Sequence, residues 1–308
     1  MLNTYKCLIF KILIITIAVM RLAVAEKNIA GSIELDNEIQ QMADEFLNLK
    51  PMRGFDYKHI TLSEAYLLQG KMADYLGRKY GSIIGYKTGG HNIGPTFPTF
   101  PKDGVRGLIL EGMLLPSNSL IHLNSTKRGF LEADFAFRVK DGSINNAQNQ
   151  MELLAGLDAI IPFAEIPDPY YQEGTRSVNG TVVSNMGSRF SFMGTPVLIE
   201  ATESWVKKIN NFTFAVHDEK GNLIEKGQIK GWYKPLEVVR WLRDHLISTG
   251  IQLKAGDILS LGNIGIIKQL HPNSPRGPAY KSDSFILSYY GLGDQPVNVT
   301  INVARDEL

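Results

Sequence analysis

Near Ser82 the hydrophobic pattern changes period, and that change constrains the fold more than any other feature of the chain. Before it, apolar residues recur at helical spacing. Leu35, Ile39, Met42, Ala43, Phe46 and Leu47 lie on one face of a segment from Glu34 to Leu49. Ala65, Leu68, Met72 and Leu76 do the same after Thr61-Leu62-Ser63-Glu64, a start signal for a second helix with a stop at Gly77 or Gly81. Lys50 to His59, with Pro51 and Gly54, is the linker between them. After Ser82 the apolar runs are short or alternating and are broken by Gly, Pro and Asn, as strands and turns require. Ile83 to Lys87, Phe135 to Val139, Phe212 to Val216 and Ile258 to Leu261 are predicted strands. Leu153 to Ile161 fits either helix or strand, and Leu236 to Ser248 is a further helix followed by Gly250. The pattern predicts a mixed α+β fold with N-terminal helices covering a β-rich body.

At 44% hydrophobic and 20% charged residues, the chain has the composition of a folded globular protein. Its 32 Lys and Arg against 31 Asp and Glu give a net charge of +1, which offers no field for nucleic acid or an anionic membrane. Lys6, the apolar run Ile12 to Met20 and Ala23-Val24-Ala25 read as a signal peptide over residues 1–25. The expected division is then residues 1–25 as leader, 26–81 as helical region and 82–308 as catalytic domain. An apolar run this short predicts no stable membrane insertion once the leader is cleaved. The single cysteine, Cys7, falls inside the leader, so the expected mature chain has neither a disulfide nor a thiol nucleophile. Export points to the periplasm or the exterior. In a eukaryotic host the C-terminal Arg305-Asp306-Glu307-Leu308 and the sequons at Asn124, Asn179, Asn211 and Asn298 would suit the ER lumen.

The residues that carry chemistry centre on Glu132-Ala133-Asp134. Side chains two apart on a strand share a face, so these two carboxylates project together and, with a third, can hold a hard divalent cation. Glu165, after Ile161-Pro162-Phe163, is the candidate third, and the alternative is a plain exposed acidic strand face. Arg176 and Arg189 are candidates to pair a substrate carboxylate, and Asp168 is a further acidic neighbour. His91, after two glycines, could approach the site, although the commoner reading of such a loop histidine is a solvated one.

Several segments, in order, resemble the 2-keto-4-pentenoate hydratase and 4-oxalocrotonate decarboxylase branch of the fumarylacetoacetate hydrolase superfamily. Gly85-Tyr86-Lys87-Thr88-Gly89 is similar to its Gly-Tyr-Lys-Ile-Gly, and Leu131 to Phe137 to its Glu-x-Glu strand with Asp134 in place of the second Glu. Phe163 to Asp168 resembles its Leu-Glu-Ile-x-Asp segment, and Tyr290 to Gly293 its closing Gly-Leu-Gly. The likeness runs over about residues 35 to 303. It implies a fumarylacetoacetase-like mixed β-sheet roll, Glu132, Asp134 and Glu165 as ligands of Mg²⁺ or Mn²⁺, and a homo-oligomer. It further implies Lys87 as the active-site lysine. The family's Ala-Asp-Asn-Ala-Ser-Ser corresponds to Val183 to Ser188, where Asn185 and Ser188 persist and complete the implied catalytic set. Ser184 stands where the family has Asp, Pro169 where it usually has Ser, and Gly112 replaces an Asp beside Glu111.

The activity implied is a metal-dependent hydro-lyase acting on a small 2-oxo acid, a 2-oxo-alkenoate. Alternatives are decarboxylation of a 2-oxo-enedioate, hydrolysis of an acylpyruvate, and an exported binding protein that keeps metal and fold without turnover.

Overall fold

A computed structural model describes residues 34–53, 60–91, 101–229, 234–272 and 278–305. The expected leader with Cys7, most of the linker and the last three residues lie outside the described residues. No helix among the described residues is long and apolar enough to cross a membrane.

Among the described residues two helices come first, α1 over residues 34–47 and α2 over Leu62–Tyr80. Helix α2 starts at a reciprocal cap: Thr61 Oγ1 accepts the Glu64 N–H at 3.2 Å, and the Glu64 carboxylate accepts the Thr61 N–H at 2.7 Å. It stops at Gly81, the later of the two expected positions, where a left-handed φ of +78° turns the chain away. Four more α-helices follow among the described residues: α3 (Gln150–Ala155), α4 (Val178–Val183), α5 (Glu203–Ile209) and α6 (Pro235–Ser248).

The strands are β1 (Ile83–Gly89), β2 (Val105–Leu110), β3 (Leu114–Pro116), β4 (Leu120–His122), β5 (Phe130–Val139), β6 (Leu157–Ile166) and β7 (Phe190–Met193). Then come β8 (Val197–Leu198), β9 (Thr213–Asp218), β10 (Leu223–Gln228), β11 (Ile258–Ser260), β12 (Lys268–Gln269), β13 (Ser284–Tyr290) and β14 (Val297–Ala304). The ambiguous segment Leu153 to Ile161 is both things at once, the end of α3 and the first half of β6.

They form two sheets. A nine-stranded sheet runs β2-β1-β11-β5-β6-β7-β3, with β12 on β5 and β8 on β6, and a five-stranded sheet runs β10-β9-β13-β14-β4. Strand alternation sorts β5 cleanly. Leu131, Ala133, Phe135 and Phe137 point into the main core with Phe212, Phe214, Phe285, Leu287, Tyr289, Val299 and Ile301 of the second sheet and its flanks. Glu132, Asp134 and Ala136 therefore point to the opposite face, where Ala136 packs with Ile109, Ile161, Phe163 and Ile258. A third cluster joins α1 and α2 to β2 and α4 through Ile39, Phe46, Leu68, Met72, Leu76, Leu110 and Val182. The N-terminal helices thus cover one side of the sheet that bears the acidic residues.

Candidate active site

The register of the large sheet assembles the site. β5 and β6 are antiparallel with Glu132 opposite Glu165, so the two carboxylates leave the sheet side by side. β1 and β11 are parallel with Lys87 beside Ser260, and β11 lies next to β5 with Ser260 opposite Ala136. Lys87, Ser260, Asp134, Glu132 and Glu165 consequently occupy one face across four adjacent strands.

Lys87 Nζ donates to Glu165 Oε2, with both side chains buried. Burial by itself works against the ammonium, but the carboxylates of Glu165, Glu132 and Asp134 outweigh it and hold the Lys87 pKa above its ordinary value. Ser260 Oγ lies 2.6 Å from Asp134 Oδ2 and 3.0 Å from Glu165 Oε1. A hydroxyl has one hydrogen, so both contacts are good together only if one carboxyl carries a proton. Complete burial, then the charge of Glu165, push the Asp134 pKa well above the usual carboxylate range. From the core side, the Tyr289 hydroxyl donates to the Asp134 carbonyl and lies 2.8 Å from the Phe163 carbonyl, bracing β5 against β6 beneath the acids.

A cavity of about 240 Å³ opens over this face. Its polar lining includes Lys87, Thr88, His91, Glu132, Glu165, Arg176 and Asn263, and its apolar lining includes Phe130, Pro167, Pro169, Met186, Leu261 and Ile267. Asp134 is not part of that lining. One methylene shorter than Glu, it lies under the floor with its oxygens taken by Ser260 Oγ and by the N–H groups of Gly262 at 3.1 Å and Phe135 at 2.6 Å. Among the described residues no three Asp, Glu, His or Cys side chains form a ready-made ion cage. The expected three-carboxylate gathering is corrected accordingly: Glu132 and Glu165 face the cavity, and Asp134 stands behind them.

The donor set still suits a hard cation. The carboxylates of Glu165, Glu132 and Asp134 all act on the Lys87 ammonium. The other buried lysine of this region, Lys268, is taken up by Glu225 at 2.5 Å and the Ile266 carbonyl at 2.8 Å. Glu132 and Glu165 both present carboxylate oxygens to the cavity, donors of the kind Mg²⁺ and Mn²⁺ prefer.

Other sequence expectations fall elsewhere. Asn185 is wholly buried, and its amide is spent on the backbone of Leu108, accepting its N–H at 2.6 Å and donating to its carbonyl at 2.9 Å. Ser188 is buried and outside the cavity lining. Asn185 holds the turn after α4 against β2, and the Ser188 N–H donates to the Asn185 carbonyl at 3.0 Å within that turn. Asn185→Ala should cost about 1–3 kcal/mol of stability by orphaning the Leu108 N–H and carbonyl, as read from a urea unfolding curve. Unchanged stability would show that the amide is dispensable there.

Arg189 and Asp168, expected at the substrate, pair with each other here and lie outside the cavity lining. Arg189 is buried with its guanidinium 3.9 Å over the Phe46 ring and Nε 3.1 Å from Asp168 Oδ2, and Asp168 accepts the Arg128 N–H at 2.7 Å. Arg176 does line the cavity. So does His91, set edge-on against Trp241 with ring centroids 4.6 Å apart, where burial lowers its pKa to about 4 and keeps it neutral at pH 7. A local reading of Gly89-Gly90-His91 had no signal for that contact, because Trp241 is on α6. Ser260 was missed for a similar reason, its meaning lying in the strands that flank it.

Comparison with known proteins agrees with the resemblance seen in the sequence. No protein-family model matches the chain. It is 21% identical over 242 residues to a 4-oxalocrotonate decarboxylase of Pseudomonas putida, covering 77% of this chain and 85% of that one. Two structures of 4-oxalocrotonate decarboxylase from Pseudomonas putida G7 are similar to it, one complexed with magnesium and adipate and the other with calcium and acetate. Their TM-scores are 0.73 and 0.72 at 17% identity, and each comparison covers 89% of this chain and 98% of the other. The fold is therefore the fumarylacetoacetase-like mixed α+β arrangement expected from the sequence.

Proposed function

We propose that this chain is a divalent-metal-dependent enzyme acting on a small 2-oxo acid, and more finely a hydro-lyase that adds water to a 2-oxo-alkenoate. The observation that carries this reading is the placement of Glu132 directly opposite Glu165 at the floor of a cavity that also holds the Lys87 ammonium. Glu132 and Glu165 would hold Mg²⁺ or Mn²⁺, with Asp134 supporting from beneath through Ser260. The relation to a protein solved with magnesium supports the choice of ion. When bound, such an ion supplies polarisation of a carbonyl and stabilisation of the negative charge that develops on its oxygen.

The protein's own groups do the rest. Lys87 carries a proton at the cavity floor, and the Glu165 oxygen to which it donates can receive or return that proton as the substrate gains or loses one. Arg176 on the wall is placed to pair a carboxylate, and Phe130, Pro167, Pro169, Leu261 and Ile267 exclude water from the rest of the cavity. The leader read from the sequence extends the proposal to an enzyme working outside the cytoplasm.

Decarboxylation of a 2-oxo-enedioate is the second reading, favoured by the 21% identity to a 4-oxalocrotonate decarboxylase. The assays are loss of dienol absorbance from 2-hydroxypenta-2,4-dienoate and CO₂ release from 2-oxo-hex-3-enedioate, each with Mg²⁺ or Mn²⁺. Activity on the first alone supports the hydro-lyase, and on the second alone the decarboxylase. Turnover of neither, with tight metal uptake, leaves an exported binding protein. Calorimetric titration of Mg²⁺ should show Glu132→Ala binding at least about tenfold more weakly than wild type, a loss of about 1.4 kcal/mol or more. Equal affinity in the two proteins would remove Glu132 from the ion site.

A further inference from the structure

The segment Asn185-Met186-Gly187 carries three successive positive φ angles, +54°, +57° and +65°. Left-handed backbone costs a non-glycine residue about 1–2 kcal/mol, so two such residues in a row persist only when the surroundings hold them there. The Asn185 amide, locked to both backbone groups of Leu108, is one hold. The Asp168 N–H donating to the Gly187 carbonyl at 2.8 Å is another. What this strain delivers is the Met186 side chain to the cavity wall.

Two glycines on neighbouring strands make room for it. A Cβ added at Gly89 of β1 would lie 2.5 Å from Met186 Cε. One added at Gly107 of β2 would lie 3.2 Å from Met186 Sδ and 2.9 Å from Lys87 Cγ. The thioether therefore sits in a slot beside the stem of Lys87, whose ammonium reaches Glu165. At about 240 Å³ the cavity is below the roughly 300–1,000 Å³ of common ligand pockets, so one extra side chain on its wall matters.

We propose that Met186 is a specificity-determining residue that closes the tail end of the cavity and restricts it to 2-oxo monocarboxylic acids with short, unbranched apolar tails. This rests on the reading of the site as a 2-oxo acid site. A ligand whose acid end lies at Glu132 and Glu165 extends past Lys87 toward the thioether. Its tail meets Met186, Phe130, Pro167, Pro169, Leu261 and Ile267, and Met186 is the flexible, bulky group among them that narrows its path.

The test is calorimetric titration of the Mg²⁺-loaded protein with pyruvate, 2-oxopentanoate and 2-oxooctanoate, in wild type, Met186→Leu and Met186→Gly. Glycine removes the side chain and also suits the positive φ, so that variant keeps a foldable turn. The expected result is that wild type and Met186→Leu bind 2-oxooctanoate at least about tenfold more weakly than 2-oxopentanoate, and that Met186→Gly loses this discrimination. If all three proteins show the same dependence on chain length, the role of Met186 is overturned while the 2-oxo acid reading stands. If none binds any of the three acids, both are overturned.

Discussion

Lys87→Met is expected to lower turnover by about 10²–10⁴-fold while leaving divalent-ion affinity equal to or above that of wild type. The two effects separate because Lys87 is a proton carrier at the cavity floor and also a competitor for the carboxylate a cation would use. Its Nζ engages Glu165 Oε2, and both side chains are about 97% buried or more. Methionine keeps the approximate length and the apolar stem and removes only the charge. In the ion-free protein that removal leaves Glu165 buried opposite Glu132 with no adjacent ammonium, which should destabilise the fold by about 3–5 kcal/mol. Adding Mg²⁺ should return most of that stability, because the cation replaces the lost positive charge. The measurements are turnover at saturating Mg²⁺ and melting curves with and without it. Wild-type turnover in the variant would take Lys87 out of the chemistry. Melting behaviour indifferent to Mg²⁺ would take the cation out of the cluster.

The second large effect lies outside the cavity. Asp168→Ala should destabilise the protein by about 3–5 kcal/mol, on the order of 10 °C in Tm, without altering the affinity for Mg²⁺. Asp168 is 1% exposed and accepts the N–H groups of Lys127 and Arg128, with Arg189 beside it as its ion partner. The Arg189 contact at 3.1 Å is an ion pair by distance, although its Nε–H is not aimed at the oxygen. Its worth is therefore mainly charge neutralisation. Truncating Asp168 leaves a buried guanidinium with no adjacent acid and two backbone donors without an acceptor. The double variant Asp168→Ala/Arg189→Met should recover part of the loss, since no buried charge then remains. If Asp168→Ala melts as wild type does, the pair contributes nothing to stability. If the single variant is stable but fails to bind 2-oxo acids, Asp168 belongs to substrate recognition after all.

The placement of these residues shows where local reading stops. Residues 131 to 135 alternate apolar and acidic within one strand, and that alternation alone puts Glu132 and Asp134 on the face away from the core. The cap at Thr61 and Glu64 is equally local, a matter of two side chains three residues apart. Asn185 and Ser188 looked like site residues because they match a family segment at the level of residue type. Geometry then shows Asn185 turned to the backbone of β2. Arg189 and Asp168 each read as a lone charge near the site, and only the packing against Phe46 shows that they neutralise one another. His91 is the opposite case, an undistinguished loop residue that the approach of Trp241 makes part of the wall.

By itself the sequence determined the period of each segment, the face on which the acids of β5 lie, and the general order of helices and strands. These follow from sterics acting over a few residues, which repeat at 3.6 or 2 along the chain. The tertiary structure alone decided that Lys87 meets Glu165, that Ser260 bridges Asp134 and Glu165, and that Asp134 sits beneath the cavity. Those contacts depend on which strands become neighbours and in what register, and register is fixed by the packing of the whole core rather than by any short stretch of chain.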